Sequence, residues 1–226
     1  MNNESVALSV SDLRKHFGAV EAVRGLSLNI RVGECFGLLG PNGAGKTTTI
    51  ELLEGILRPS SGTILYLGEP LGDRFRREAG IQFQHTALQD FLTVREHLEL
   101  FARLYPRARP IAEIMERCAL GELAGRDARK LSGGQRQRLL LGIALVHDPA
   151  VIFLDEPTTG LDPQARRNFW SLVESIKADG RTVVLTTHYM EEAYRLCDRI
   201  AIMDHGQIIA DGTPRELLRR HFAGAV

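Results

Sequence analysis

Apolar and polar residues alternate along the first thirty positions of the chain and then give way to longer apolar runs. Residues 6–17 and 21–30 alternate roughly at every second position, which predicts two antiparallel strands joined near Gly18. Residues 34–39 form a nearly continuous apolar run that predicts a buried strand, and residues 46–57 then show helical spacing. This part of the chain therefore predicts an N-terminal β layer followed by strand, loop and helix.

The middle of the chain has a different pattern from its two ends. Short strands are predicted at 63–67 and 81–83, whereas residues 93 to about 147 show mostly helical spacing. After this stretch, strands and helices alternate, which builds a parallel sheet by right-handed crossovers. The predicted strands are 151–154, 182–186 and 200–203, the helices are 163–178 and 191–197, and a hairpin strand at 207–210 precedes a terminal helix that Thr213 and Pro214 begin. We therefore predict an α/β fold with a helical lobe inserted into the sheet.

Composition narrows the class of protein. The chain has 226 residues of which 44% are hydrophobic, enough to bury a substantial core. Lysine plus arginine and aspartate plus glutamate number 28 each, so no net charge favours nucleic acid as a partner. Cys35, Cys118 and Cys197 lack CxxC spacing, which argues against a disulfide framework or a zinc site and predicts buried thiols. No apolar run approaches the roughly 20 residues that span a bilayer, so we expect a soluble protein or one bound to a membrane through a partner.

Residues 40–47 match the spacing GxxxxGKT of a phosphate-binding loop between a buried strand and a helix. Glycines let successive backbone N–H groups turn toward one anion, and the helix N-terminus adds partial positive charge. Lys46 can reach the β and γ phosphates of a nucleotide, and the Thr47 hydroxyl is suited to magnesium. The pattern predicts a P-loop nucleotide hydrolase core with a mostly parallel sheet, whose candidate nucleotide-binding residues are Gly40, Pro41, Asn42, Gly43, Ala44, Gly45, Lys46, Thr47 and Thr48.

Two carboxylates, Asp155 and Glu156, end the apolar strand predicted at 151–154. A solvated strand end would explain them equally well in isolation. Because parallel strands direct their carboxyl ends into the crevice where such sheets bind ligands, we expect both beside the phosphate-binding loop. Asp155 is then the candidate magnesium ligand, and Glu156 is the candidate base that orients or deprotonates water.

Residues 131–135 read LSGGQ and lie between these two motifs. An isolated Ser-Gly-Gly is more often a turn or a linker. Here Ser132 and the Gly133 and Gly134 amides open a predicted helix, so with Gln135 they can form a second anion site. A helical lobe separates this site from the phosphate-binding loop, so we expect the two to meet on one nucleotide only when two chains pair head to tail.

In this order the motifs resemble the nucleotide-binding subunit of the ATP-binding cassette (ABC) transporter family over nearly the whole chain. The remaining family elements are Gln84 after a strand, the turn 160–162 and His188 after a strand. The resemblance implies one ABC ATPase domain, 1–226, in which residues 1–85 and 150–226 form the core lobe with its β layer and about 86–149 form the helical lobe.

The resemblance also implies roles for four residues whose types alone would say little. Gln84 would contact magnesium and the attacking water, His188 would contact the γ phosphate, Asp162 would lie between two subunits, and Phe17 would stack on adenine. Each has an ordinary alternative: a polar cap, a core histidine, a helix cap and a buried strand residue. Glu191 and Glu192 near His188 could suggest a metal cluster, but no second histidine stands at ligand spacing.

The resemblance implies an ATPase that dimerises on two Mg-ATP molecules and powers integral membrane permease subunits at the cytoplasmic face of the membrane. A second copy of the same chain is the expected dimer partner. Residues 92–98 and 187–193 are similar to the ABC-2-type subgroup that exports drugs, lipids or polysaccharides, whose members often carry a further C-terminal segment. The alternatives are a soluble ABC ATPase that acts on nucleic acid or ribosomes, and a module that binds ATP without turnover.

Overall fold

The computed structural model describes residues 5–83 and 88–222. Its strands are β1 (Val6–Phe17), β2 (Val20–Arg31), β3 (Cys35–Leu39), β4 (Ser61–Tyr66), β5 (Glu69–Pro70), β6 (Ala79–Gln82), β7 (Val151–Asp155), β8 (Thr182–Thr187), β9 (Arg199–Asp204) and β10 (Gln207–Gly212). Its α-helices are α1 (Lys46–Leu53), α2 (Asp73–Glu78), α3 (Val94–Ala102), α4 (Ile111–Arg117), α5 (Gly133–Leu145), α6 (Pro163–Ala178), α7 (Met190–Leu196) and α8 (Pro214–Phe222).

The N-terminal strands form an antiparallel sheet in the order β2-β1-β4-β5. In β1 and β2, Val10 pairs with Leu28 and Leu13 pairs with Leu26, and all four side chains are buried. The alternation that predicted these strands therefore places one face of the sheet in the core.

The second sheet has the order β10-β9-β3-β8-β7-β6, and β9, β3, β8, β7 and β6 run parallel. Neighbouring residues of its central strands point to opposite faces: Ile152 and Leu154 join one hydrophobic cluster, and Val151 and Phe153 join the other. A sheet that is buried on both faces needs continuously apolar strands, which is the pattern of β3, β7 and β8. The structure confirms the predicted α/β fold with its antiparallel N-terminal layer.

Helices α3, α4 and α5 lie between β6 and β7 in the chain. Leu98, Ile114 and Leu139 from these helices belong to the same cluster as Ile152 and Leu154 of the parallel sheet. Thr93 and Ser132 begin α3 and α5, each with a capping box, in which a side chain three residues later bonds back to the cap. The helical segment is thus packed directly on the face of the sheet.

Some predicted boundaries differ from the structure. The helix predicted over 46–57 ends at Leu53, because Gly55 adopts a positive φ of 73° just after the cap residue Glu54. The short elements β5 and α2 were not predicted, whereas α6 has the predicted bounds. Cys35, Cys118 and Cys197 are buried, as predicted. No helix among the described residues is long and apolar enough to cross a membrane.

Candidate functional site

The candidate site lies where three neighbouring parallel strands end. Strand β3 leads into the phosphate-binding loop, β7 ends at Asp155, and β8 ends one residue before His188. Because β8 lies between β3 and β7 in the sheet, segments that are far apart in sequence meet at one edge. They line a cleft of about 740 Å³, formed by Val20, Glu21, Ala22, Arg24, Asn42, Gly43, Gly45, Lys46, Thr47, Thr48, Glu156, Thr159, His188, His205 and Gly206.

Two glycines of the loop are required by close packing of the backbone. A Cβ at Gly40 would lie 2.3 Å from the Met203 carbonyl oxygen, and one at Gly45 would lie 2.5 Å from the Ala22 carbonyl oxygen. Gly45 also has a positive φ of 98°. Since Gly45 precedes α1 and has no side chain to cap it, the first N–H groups of α1 are left for an anion.

Three charged or ionisable groups meet in the cleft. Lys46 Nζ lies 3.3 Å from Glu156 Oε1, and His188 Nδ1 lies 3.4 Å from Glu156 Oε2. The Lys46 side chain is 4% exposed and the Glu156 side chain is 9% exposed, so solvent screens this pair little. Lys46 Nζ also donates to the Pro41 carbonyl oxygen at 3.2 Å, which holds the amine over the loop.

Glu156 is held in a specific backbone and electrostatic environment. Its φ of 45° is unusual for a residue with a side chain, and its N–H donates to Thr186 Oγ1 at 3.0 Å. Burial raises the pKa of the Glu156 carboxyl, but the hydrogen bond and charge of Lys46, with help from His188 and Thr159, outweigh burial and lower it. The carboxylate form is therefore favoured at neutral pH.

Asp155 is buried beside Glu156 and lies within reach of the phosphate-binding loop. Its carboxylate accepts a hydrogen bond from the Thr186 hydroxyl, and the Thr47 hydroxyl also bonds to it. Burial raises the pKa of Asp155, and the bond from Thr186 offsets this only in part. A buried carboxylate next to a threonine hydroxyl is an oxygen donor set that fits Mg²⁺.

The LSGGQ segment lies at the start of α5 and is not part of the cleft lining among the described residues. Ser132 Oγ accepts from the Gln135 N–H at 3.3 Å, and Gln135 Oε1 accepts from the Ser132 N–H at 3.0 Å. Ser132 and Gly133 are exposed. A Cβ at Gly134 would lie 2.8 Å from Ala165 Cβ, so this glycine lets α5 approach α6 closely.

The other predicted site residues have mixed positions. Asp162 caps α6, where its Oδ1 accepts from the N–H groups of Gln164 and Ala165 at 3.0 and 2.9 Å. Phe17 is 49% exposed and pairs in the sheet with Val20, which lines the cleft. The buried-strand alternative for Phe17 is therefore wrong. Gln84 lies outside the described residues.

Sequence reasoning missed two threonines that hold the proposed catalytic carboxylates. Thr186 bonds to Asp155 and to the backbone of Glu156, and Thr159 Oγ1 donates to Glu156 Oε2 at 3.2 Å. The position of Thr186 at the end of an apolar strand next to β7 was the available signal, since parallel strand ends share one edge. No comparable signal distinguishes Thr159 from its neighbour Thr158.

Comparisons with known proteins agree with this architecture. The ABC transporter family profile matches residues 23–159. Nod factor export ATP-binding protein I of Ralstonia nicotianae is 46% identical over 219 residues, which cover 93% of this chain and 68% of that protein. The protein of the same name from Rhizobium sp. (strain N33) is 44% identical over 224 residues, covering 96% of this chain and 74% of that one.

Solved structures give the same result. A nucleotide-free ATP-binding cassette from an ABC transporter superposes with a TM-score of 0.86 at 26% identity, covering 97% of this chain and 96% of that one. The cbiO1 protein of Clostridium perfringens, part of the ABC transporter complex cbiONQ, gives 0.84 at 30% identity, with 98% and 96% covered. A dimeric cassette in a post-hydrolysis state with ADP and Pi gives 0.80 at 26%, with 92% and 99% covered. Together with the cleft beside the phosphate-binding loop, these matches show that the chain belongs to the ABC transporter family as an ATP-binding and ATP-hydrolysing subunit.

Proposed function

We propose that this chain binds Mg-ATP in the cleft, hydrolyses it between two copies of itself, and thereby powers export through separate membrane subunits. The observation that carries the proposal is the meeting of Lys46, Glu156 and His188 at one end of the cleft. These groups are a phosphate-binding cation, an ionised carboxylate and a second polar group beside that carboxylate. Together they suit attack of water on a terminal phosphate.

Lys46 changes its partner when the nucleotide enters. Without nucleotide its amine is paired with Glu156 and the Pro41 carbonyl oxygen. A γ phosphate over the N-terminus of α1 would compete for this amine, because phosphate oxygens and a carboxylate are both strong acceptors for it. ATP binding would therefore free Glu156 to accept a hydrogen bond from water.

Glu156 would act as the base that orients or deprotonates the attacking water. His188 lies on the side of Glu156 Oε2, which places it to contact the γ phosphate and the same water. Asp155 and Thr47 would hold Mg²⁺, with Gln84 as a further ligand, and the ion would neutralise charge on the phosphates. Phe17, near the Val20 side of the cleft, would stack on adenine.

The second half of each site would come from another chain. Ser132 and Gly133 are exposed at the start of α5, outside the cleft of their own chain. In a head-to-tail pair they would face the γ phosphate bound by the partner, with Gly134, Gln135 and Asp162 at the same junction. The solved dimeric cassette with ADP and Pi supports this assembly by analogy.

Export and the membrane partner are supported by relatives. The matched proteins of Ralstonia and Rhizobium are named export ATP-binding proteins, and cbiO1 is part of a transporter complex. We propose that this chain likewise associates with integral membrane permease subunits at the cytoplasmic face. The cargo would be chosen by those subunits, because the cassette contributes the hydrolysis site and not the pathway.

The proposal is tested with Glu156→Gln, which keeps the shape of the side chain and removes its basicity. Hydrolysis should fall at least about a hundredfold, because general base catalysis typically contributes that much. ATP binding should persist, and Mg-ATP should convert the variant to a dimer in light scattering. Glu191→Gln is the matched control, since Glu191 is exposed on α7. Hydrolysis by Glu156→Gln at the parent rate would refute the assignment of the base.

A further inference from the structure

A buried carboxyl group outside the cleft connects the segments that carry the proposed catalytic residues. Glu192 is fully buried at 0% exposure in the first turn of α7. Its Oε1 accepts from Thr158 Oγ1 at 2.8 Å and from Trp170 Nε1 at 2.8 Å. One oxygen atom thus joins α7, the loop after β7, and α6.

The two loops that meet at this oxygen are those of Glu156 and His188. Thr158 lies two residues after Glu156, and Glu192 lies four residues after His188. A second contact holds the same elements together, because the Arg166 guanidinium of α6 lies 4.2 Å from the centre of the Tyr189 ring. The loop between Glu156 and α6 is therefore tied to the segment that follows His188.

The contact at Thr158 is passed on to Glu156 by the next residue. Thr159 Oγ1 donates to Glu156 Oε2 at 3.2 Å, and His188 Nδ1 lies 3.4 Å from this same oxygen. Adjacent threonines thus bond to different carboxyl groups, Thr158 to Glu192 and Thr159 to Glu156. Holding the first threonine restricts where the second can place its hydroxyl.

We propose that Glu192 is a positioning residue for ATP hydrolysis, which acts by holding Thr158 so that Glu156 and His188 keep their mutual geometry. This inference rests on the proposed roles of Glu156 and His188. Glu192 touches neither nucleotide nor water in this scheme. Its effect should therefore appear in kcat, which depends on alignment of the reacting groups, while KM for ATP is set mainly by the phosphate-binding loop.

Thr158→Val is the direct test, because valine keeps the volume of threonine and removes the hydroxyl that donates to Glu192. We expect kcat to fall about tenfold, since small misplacements of catalytic groups have effects of at least this size. KM for ATP should stay within about twofold, because no residue of the loop is changed. Thr182→Val is the matched control: its hydroxyl is also buried and accepts from the Gly33 N–H at 2.9 Å, away from both loops. That control should lose stability and keep the parent kcat.

Glu192→Gln and Glu192→Ala separate positioning from packing. Glutamine keeps an acceptor for Thr158 and Trp170, so it should retain at least about half of the parent kcat, whereas alanine should lose it as Thr158→Val does. Trp170 is the one tryptophan of the chain, so its indole N–H gives a single side-chain signal in a nitrogen-edited NMR spectrum. This signal should stay at its parent position in Thr158→Val, which would show that Glu192 has not moved.

Two results would overturn the inference. One is a parent-like kcat in Thr158→Val, and the other is a kcat loss in Glu192→Gln as large as in Glu192→Ala. These are distinct from failure of the proposed function, which would appear as an absence of ATP hydrolysis by the parent protein or as full activity of Glu156→Gln. An active parent with a sensitive Glu156 and an insensitive Thr158 would reject only the positioning role.

Discussion

Glu54 shows how far tertiary surroundings change the chemistry of a single residue. It caps the end of α1, is 6% exposed, and its Oε1 has no hydrogen-bond partner among the described residues. Burial raises the pKa of Glu54 to about 8, and the charges of Asp155 and Glu51 add to the effect. The fold therefore favours the protonated acid, whereas the unfolded chain ionises at an ordinary pKa near 4.5.

This difference predicts a pH-dependent contribution to stability. Glu54 contributes fully below pH about 4.5, and its contribution is lost as pH rises toward about 8, because the folded state then holds a proton that the unfolded state has released. In Glu54→Gln this loss is absent, so the variant should gain stability relative to the parent between pH 5 and 8, by a few kcal/mol at most, at about 1.4 kcal/mol per pKa unit.

Urea denaturation of both proteins at pH 5, 6.5 and 8 measures this change. Glutamine is also polar and buried, so it adds a cost that is the same at each pH and does not alter the slope. Glu122→Gln, at an exposed position, is the control and should show a flat difference. A pH-independent difference between parent and Glu54→Gln would contradict the assignment.

At the scale of elements, the start of α5 combines two requirements in five residues. Ser132 and Gln135 cap the helix, while Gly134 brings it against α6, where a Cβ would come 2.8 Å from Ala165 Cβ. Glycine in the first turn of a helix costs conformational entropy, so close packing offsets that cost here. The LSGGQ pattern therefore has a structural reason in addition to its proposed role at a phosphate.

Gly134→Ala should force α5 and α6 apart and destabilise the protein by about 1–3 kcal/mol, the usual cost of overpacking. The measurement is chemical denaturation of the parent and variant. Ala165→Gly in the same chain removes the opposing Cβ and should restore part of the loss. Gly125→Ala is the matched control, since a Cβ there meets no atom within 4 Å. Equal effects of the two glycine substitutions would show that α6 is not the cause.

At the scale of the whole molecule, one rigid frame presents two separate half-sites. The parallel sheet is buried on both faces, with one cluster shared with α3, α4 and α5 and the other shared with the N-terminal sheet. The frame places the phosphate-binding loop and Glu156 in the cleft, and Ser132 outside it. Two chains are then needed to complete a site, which a mixing experiment can test.

Lys46→Ala damages the cleft, and Ser132→Asp keeps a helix cap while placing a negative charge where the partner's phosphate would bind. Each variant alone should hydrolyse little ATP. Mixing them should raise activity above the sum of the two, because a mixed dimer contains one site with an intact Lys46 and an intact Ser132. Lys46→Ala mixed with Glu156→Gln is the control and should stay inactive, since both lesions lie in the clefts of their own chains. Failure of the first mixture to recover activity would argue against shared sites.

Features that depend on neighbours in the chain were predicted well. Strands β3, β7 and β8 follow from apolar runs, and α6 has its predicted bounds because Asp162 and Pro163 mark its start. The phosphate-binding loop was recognisable because its glycines, Lys46 and Thr47 are adjacent in sequence. Helix α1 was predicted too long, because apolar spacing continues to Leu57 while the backbone turns at Gly55.

The sequence by itself therefore determined the elements, their order and the residues capable of phosphate chemistry, since periodicity and adjacency are local properties. Only the tertiary structure decided which polar groups are buried and which atoms they meet. Glu191 and Glu192 are identical neighbours, yet Glu191 is exposed and Glu192 is buried against Thr158 and Trp170. The reason is physical: successive residues of α7 point in different directions, and only the packing of α6 and the loop after β7 makes one of those directions an interior.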